Sequence, residues 1–448
     1  MLTSKCFKKS IYNIEVEKLE NNKVLMYNSV STALGIMDEK TQEIYYNIDK
    51  FNTDESIDKD VLKEIELMKT NGFIVGSEID EYALLKIYGN MTRYNSRTFS
   101  LTIAPTMNCN MKCPYCYEDK KNIKMDEKIK VGLVNFIENY IKSQDVKFMT
   151  VCWYGGEPLL EKETIKYLSE KIIEICKENN VVYASDIITN GTMLDYETAK
   201  MLREQCFVRR AQITLDGMAE TNDKRRCLIN GKSSFEIITN NILKCQELIN
   251  IVLRVNTDKN NIQEANDIIE YFSLKNSSFK LESLYFAPVD KQTETCNIQV
   301  SDCYSMNEFA KISALLEKEI YNKTNIVNYP MTMFSQCSAV GVNSYVVDPK
   351  GNFFKCWSEV GVDGKDVGNI FDGLIFNKRA IDWLSFQLDE ECENCSIVPL
   401  CQGGCTVQKL DFQTKKCSYR ALRVKETLKT YYEYHVKENK GKYCKSEE

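Results

Sequence analysis

The stretch CNMKCPYCYED, residues 109–119, places three thiols, Cys109, Cys113 and Cys116, on one short segment. A tetrahedral zinc or an iron–sulfur cube normally takes four protein ligands. Three thiolates on a tight loop leave one iron of a cube open to a small molecule, as catalytic metal sites generally require. On spacing alone, three structural cysteines, or a zinc completed from elsewhere, stand as alternatives. GGEP follows at Gly155, Gly156, Glu157 and Pro158: two positions without a Cβ, then a carboxylate able to receive a cation.

A second set of cysteines lies near the C-terminus. It runs Cys337, Cys356, then Cys392-x2-Cys395-x5-Cys401-x3-Cys405, then Cys417. The chain has 19 cysteines but one histidine, His435, which sits in a polar stretch and reads as a surface residue. Cysteine-dense secreted scaffolds are short, whereas cysteines in a 448-residue chain more often hold metal. Thiolate-only ligation points to zinc or iron–sulfur. The net charge of −6 gives no bulk positive field for nucleic acid. MLTSKCFKKS lacks the apolar run of a signal peptide, and no segment approaches the ~20 apolar residues of a membrane span. The expectation is a cytoplasmic protein with neither nucleic-acid nor membrane partner.

Three regions must position these groups. Over residues 1–95, Ile14 and Val16 alternate with Glu15 and Glu17 as in a half-buried strand. Asn21-Asn22 then turns into VLMY. Leu62, Ile65 and Met68 follow at helical spacing, Gly72 is placed as a C-terminal cap, and FIVG reads as a returning strand. Together they predict a small winged-helix-like module. Over residues 96–300, FSLTIAP, KFMTVCWYGG, ASDIITNG, RRAQITLDG, IVLRVNTD and SLYFAPVD read as six strands between helices. One helix carries Ile165, Leu168, Ile172, Ile175 and Cys176 on one face, so Cys176 reads as core. The fold class predicted is α/β, a partial (β/α)6 barrel. Residues 301–448 are rich in cysteine and turns and hold few long apolar elements, so metal ligation is expected to supply folding energy there.

On CNMKCPYC, with Tyr115 just before the third cysteine, and on GGEP one β–α unit later, the chain resembles the radical S-adenosylmethionine (radical SAM) superfamily. The resemblance implies a [4Fe–4S] cluster on Cys109, Cys113 and Cys116, with the amino and carboxylate groups of SAM on its unique iron. Reductive cleavage, fed by an external flavodoxin- or ferredoxin-type donor, would release a 5′-deoxyadenosyl radical. Tyr115, Gly155, Gly156 and Glu157 are implied SAM contacts. Thr189 and Asn190 at the third strand, Thr214 and Asp216 at the fourth, and Arg254 and Asn256 at the fifth match softer family positions. Where relatives carry His-Asp-x-x-Arg, this chain has Asn222-Asp223-Lys224-Arg225-Arg226, keeping Arg226 for the SAM carboxylate and losing the histidine.

The C-terminal cysteines resemble the SPASM domain, an auxiliary-cluster module of radical SAM enzymes that modify peptides. The resemblance gives Cys392, Cys395, Cys401 and Cys417 to an outer [4Fe–4S] cluster, and Cys337, Cys356 and Cys405 to an inner one, three clusters in all. The inner set is one ligand short, leaving either an open iron or a fourth ligand such as Cys296 or Cys303. An open iron suits a substrate thiolate, hence sulfur-to-carbon thioether crosslinking in a ribosomally made cysteine-rich precursor. Anaerobic sulfatase maturases carry an Asp base directly after the second cysteine of this motif; here that residue is Trp357. Residues 1–95 resemble, in pattern, the leader-binding element of peptide maturases, which captures a leader by strand addition. The alternatives are another peptide modification (C–C crosslinking, epimerisation, formylglycine formation) or a non-catalytic electron carrier, which would have no need of an exchangeable iron.

Overall fold

A computed structural model of the chain describes residues 6–51, 58–118, 121–275, 283–290, 296–326, 328–414 and 417–437. The N-terminal module contains β1 (Phe7–Lys9), β2 (Asn13–Lys18), β3 (Val24–Asn28) and β4 (Leu34–Met37). Helices α1 (Glu39–Tyr46) and α2 (Lys59–Thr70), strand β5 (Ile74–Gly76) and helix α3 (Glu81–Arg93) follow. Strands β2, β3 and β4 form an antiparallel sheet, and β1 pairs with β5. The hairpin expected at Asn21-Asn22 is present, both residues taking left-handed φ of 55° and 54°, which Asn tolerates. Leu62 departs from expectation and is 42% exposed. The inward stripe of α2 runs Val61, Ile65, Met68, so Leu62 is turned one residue, about 100°, toward water.

Strand β3 explains why VLMY shows no alternation. Val24 and Met26 pack under the module's own helices. Leu25 and Tyr27, with Ile14 and Val16 of β2, pack instead on Leu400, Val424 and Leu428 of the C-terminal region. A strand covered on both faces is apolar throughout. Polar contacts close the same seam: Tyr27 donates to the Pro330 carbonyl at 2.7 Å, and Ser29 to that of Ser396 at 2.5 Å.

All six expected strands of the central region form: β6 (Thr98–Ile103), β7 (Phe148–Trp153), β8 (Val182–Thr189), β9 (Val208–Leu215), β10 (Asn250–Thr257) and β11 (Leu284–Pro288). They pair in parallel, in sequence order. The crossovers are α4 (Glu127–Ser143), α5 (Lys162–Glu178), α6 (Tyr196–Gln205), α7 (Ala219–Arg225), α8 (Phe235–Cys245) and α9 (Ala265–Lys275). Phe99, Leu101 and Ile103 of β6 join the core with Ile165, Leu168, Ile172 and Cys176 of α5. The other sheet face is polar: Thr150 donates to Ser100 at 2.8 Å, Arg210 to Asp186 at 2.7 Å, and Tyr285 to Gln212 at 2.9 Å. In a closed (β/α)8 barrel that space is filled by branched apolar side chains. Here it is left hydrophilic.

The C-terminal third is better packed than its composition suggested. Helix α10 (Met306–Thr324) has 19 residues and sends Phe309, Leu316 and Ile320 into the barrel core. Strand β12 (Ser344–Val347) pairs in parallel with β6 and turns back into β13 (Phe353–Phe354), so the sheet has eight strands. His435 is half-buried rather than on the surface, its ring 4.8 Å from that of Tyr431. Cys444 lies outside the described residues. Among the described residues no helix is long and apolar enough to cross a membrane. Leu428→Ala, at the seam, is expected to cost about 2–5 kcal/mol, read as a lower midpoint in urea unfolding followed by circular dichroism. Leu67→Ala, on the exposed side of α2, should stay within about 0.5 kcal/mol of the parent.

Candidate active site and cysteine clusters

The groups singled out in the central region sit in the last turns of the strands or just beyond their C-terminal ends. The Cys109–Cys116 loop follows β6, GGEP follows β7, Thr189-Asn190 ends β8, Asp216 follows β9, and Arg254 and Asn256 lie at the end of β10. The two glycines of GGEP serve the cysteine loop itself. A Cβ on Gly156 would lie 2.2 Å from the Asn108 carbonyl oxygen, and one on Gly155 2.4 Å from that of Thr106. The Gly156 and Glu157 amides donate to these same two oxygens, Thr106 and Asn108, at 3.1 and 2.8 Å. Close approach to this neighbouring backbone, rather than only to a ligand, demands glycine here.

Glu157 is 0% exposed. Its carboxylate accepts from the Leu159 amide at 3.1 Å, the Thr189 hydroxyl at 2.7 Å and the Asn190 amide at 2.7 Å. Burial pushes its pKa up, and these donors oppose the shift. Asn190 in turn donates to Asn110 inside the cysteine loop at 2.7 Å. Glu157, Thr189 and Asn190 therefore lock the ends of β7 and β8 to that loop. Thr214, on β9, is buried beside them in sequence register with Arg254 of β10.

A second web holds Tyr115. Its hydroxyl donates to Asp216 at 2.9 Å and accepts from Arg226 at 2.7 Å. Arg225 bridges Asp216 at 3.2 Å and Asp258 at 2.8 Å, and lies 5.6 Å from the Tyr115 ring centroid. Burial pushes the Asp216 carboxyl up, against the pull of the Arg226 and Arg225 guanidiniums. Asp216 is thus a fully buried hub rather than a turn residue. Arg225 and Asp258 were missed in the sequence, since two adjacent arginines give no sign of which neighbour each will meet. Asn222, where relatives carry His, has a structural part: it accepts from the Asp216 amide at 3.2 Å and donates to Ser234 at 2.9 Å. Arg226 keeps one buried donor, Nε, without a hydrogen-bond partner, and the Cys113 side chain lies within its field. A buried, unused guanidinium donor beside the cysteine loop fits the carboxylate of SAM. Arg254 donates to Asn256 at 2.7 Å.

The C-terminal cysteines gather as two sets. Burial pushes the Cys337 and Cys356 thiols up, Cys356 to about 12; Cys405 adds to the effect on Cys337, and Cys337 to that on Cys356. Burial likewise raises Cys401, with Cys417 and Cys392 adding to it. Cys395 packs in the same cluster as Cys392, against Tyr12 of the N-terminal module. Thiols held together at raised pKa need positive charge to ionise, which a metal centre supplies. Among the described residues no three Cys, His, Asp or Glu side chains close on a point as the ligands of one ion do. No disulfide joins two cysteines among the described residues. Cys296 donates to the Tyr115 carbonyl at 3.4 Å, in the first cysteine loop, and Cys303 to that of Gln299 at 3.8 Å. Trp357 stacks 4.6 Å from Tyr154, whose hydroxyl meets that of Tyr117 directly after Cys116.

Residues 103–272 match the model of the radical SAM superfamily, so the chain carries a radical SAM domain. Among curated proteins it is similar to a cysteine-type anaerobic sulfatase-maturating enzyme of Clostridium novyi (strain NT), 27% identical over 70% of this chain and 89% of that one. It is also similar to a serine-type anaerobic sulfatase-maturating enzyme of Bacteroides thetaiotaomicron, 27% identical over 66% and 80%. Native anSMEcpe with bound AdoMet shares the fold at a TM-score of 0.58 and 20% identity, over 76% of this chain and 99% of that one. Streptococcus suis SuiB bound to precursor peptide SuiA does so at 0.51 and 15%, over 92% and 98%.

Gly156→Ala is expected to displace the cysteine loop and sharply lower SAM binding, measured by equilibrium dialysis after anaerobic reconstitution. Asp216→Ala, which leaves two buried guanidiniums short of their carboxylate, should cost about 3–5 kcal/mol in chemical unfolding.

Proposed function

We propose that this radical SAM enzyme acts on a ribosomally made, cysteine-containing precursor peptide and installs sulfur-to-carbon thioether crosslinks. The observation carrying the reading is the inner set: Cys337 lies close enough to both Cys356 and Cys405 to share their fields, with Trp357 where sulfatase maturases carry their Asp. Cys296, a candidate fourth ligand, is instead turned to the Tyr115 carbonyl. With [4Fe–4S] clusters on the first loop and on both C-terminal sets, and SAM on the first, the protein would gain a 5′-deoxyadenosyl radical source, a thiophilic iron for a substrate cysteine and a one-electron acceptor.

The chain's own residues do the rest. The Glu157–Thr189–Asn190 lock and the Asp216–Arg226–Tyr115 web hold the first loop, and the spare Arg226 donor orients SAM. Tyr117, Tyr154 and Trp357 wall the space between that loop and Cys356 with aromatic surface, which keeps water from a carbon radical. Residues 1–95 form the leader-binding part, 96–300 the radical domain and 301–448 the auxiliary-cluster part, Cys392, Cys395, Cys401 and Cys417 serving electron relay. The donor is a flavodoxin- or ferredoxin-type protein. Extended likeness to sulfatase maturases favours formylglycine formation as the second reading, against which Trp357 counts, since indole is no base.

Anaerobically reconstituted protein should bind about twelve irons per chain. Incubated with SAM, reductant and a cysteine-rich precursor, it should yield 5′-deoxyadenosine and a product lacking a pair of hydrogens and one titratable thiol per crosslink. Deoxyadenosine formed with every thiol retained would reject thioether formation in favour of another peptide modification.

A further inference from the structure

The polar face of the central sheet ends, at its β11 edge, in positive charge that the chain itself does not neutralise. Thr214 of β9, Arg254 of β10 and Tyr285 of β11 stand side by side in register. The Tyr285 hydroxyl donates across β10 to Gln212 at 2.9 Å, so its ring lies along this face. Arg254 lies within the field of Tyr117, the residue directly after Cys116, which makes the face continuous with the first cysteine loop.

Strand β11 is outermost in the sheet, and a short helix of the C-terminal region, Tyr419–Leu422, borders it. Tyr419 donates to the Phe286 carbonyl at 3.0 Å and packs edge-on against Phe309 of α10, with 5.0 Å between ring centroids. That anchor sets the next residue, Arg420, over Tyr285. Its guanidinium carbon is 5.2 Å from the ring centroid, and its Nε donates to the Tyr419 hydroxyl at 3.3 Å.

Among the described residues Arg420 pairs with no carboxylate, and neither does Arg254, whose Nε goes to Asn256. The acids nearby are engaged elsewhere. Glu317, whose field reaches Arg420, accepts from Arg423 at 2.9 Å and from the Thr427 hydroxyl at 3.0 Å. Asp186, on the same sheet face, is bound by Arg210 at 2.7 Å. A guanidinium does not shed its proton, and stacking on an aromatic ring fixes its plane. Held so, with Arg420 exposed, its outer edge presents two parallel donors, the fork that a carboxylate matches.

We propose that Arg420, stacked on Tyr285, is a carboxylate-recognition point for the peptide substrate, and that Arg254 adds to its positive field. The substrate is then a peptide with an acidic group close to its reacting cysteine, either an Asp or Glu side chain or its own C-terminus. The inference rests on the peptide-modifying reading and names the kind of peptide.

The test uses anaerobically reconstituted full-length protein, SAM and a pool of acetylated, C-terminally amidated nonapeptides. Each peptide carries one cysteine, with Asp, Asn or Lys at each other position in turn. After equilibrium dialysis, mass spectrometry should find Asp peptides of a preferred spacing retained at least about tenfold over their Asn counterparts. Arg420→Glu should reverse the order in favour of Lys, and Arg420→Lys should keep it. Both variants should match the parent's midpoint in urea, since Arg420 is exposed. In a second arm the peptides end in a free carboxylate: Asn peptides retained only in that form assign the recognised group to the C-terminus instead of a side chain. Equal retention of all peptides in both arms overturns the inference, as does an acidic preference that survives Arg420→Glu. A parent that binds SAM yet retains no cysteine peptide over its serine counterpart would strike the peptide reading itself.

Discussion

A single buried carboxylate holds the site together. Glu157 has no exposure to water, and an ionised carboxylate there is tolerable only because three donors converge on it. Those donors come from the turn after β7 and from the end of β8, while its own amide is bound to the cysteine loop after β6. One residue, through its carboxylate and its amide, thus ties three strand ends together, and with them the loop that carries Cys109, Cys113 and Cys116. The two preceding glycines are the steric half of the same constraint, because any Cβ there would strike the backbone of that loop.

The polar sheet interior follows from what must be done inside it. A closed barrel packs its centre with branched apolar side chains. Here the sheet stays open, its inward positions carry Ser100, Thr150, Asp186, Gln212 and Arg254, and β12 and β13 extend its first edge. This extension brings the Cys356–Trp357 turn against Tyr154, next to the first cysteine loop. The Cys356 turn is tied to the central sheet by backbone pairing of β12 with β6 and β13. The N-terminal module is tied in as firmly, since one face of β3 belongs to the C-terminal region's core.

Much of the site could be read from the chain because its chemistry is local. Cysteine spacing within one loop, and a Gly-Gly-Glu turn after a strand, are short-range patterns set by ligand geometry and backbone sterics. Strand alternation and helix periodicity likewise carried Ile165 through Cys176 to their buried places. Leu62 was misjudged because two neighbouring apolar positions, Val61 and Leu62, offer equally good stripes, and only the sheet beneath α2 selects one. The C-terminal third was judged poor in core because α10 contributes to a core that lies elsewhere in the chain.

The sequence by itself determined the strand–helix order and where the cysteine loop and the GGEP turn fall on it, all of which depend on residues close in the chain. Tertiary structure alone decided which arginine meets which acid at Asp216, that Cys296 turns to Tyr115, and that Cys337 comes near both Cys356 and Cys405. It also decided that Leu25 and Tyr27 serve a remote helix. The physical reason is common to these cases: each pairing joins side chains on different strands, helices or loops, so it is set by how those elements stack, and no local periodicity encodes that stacking.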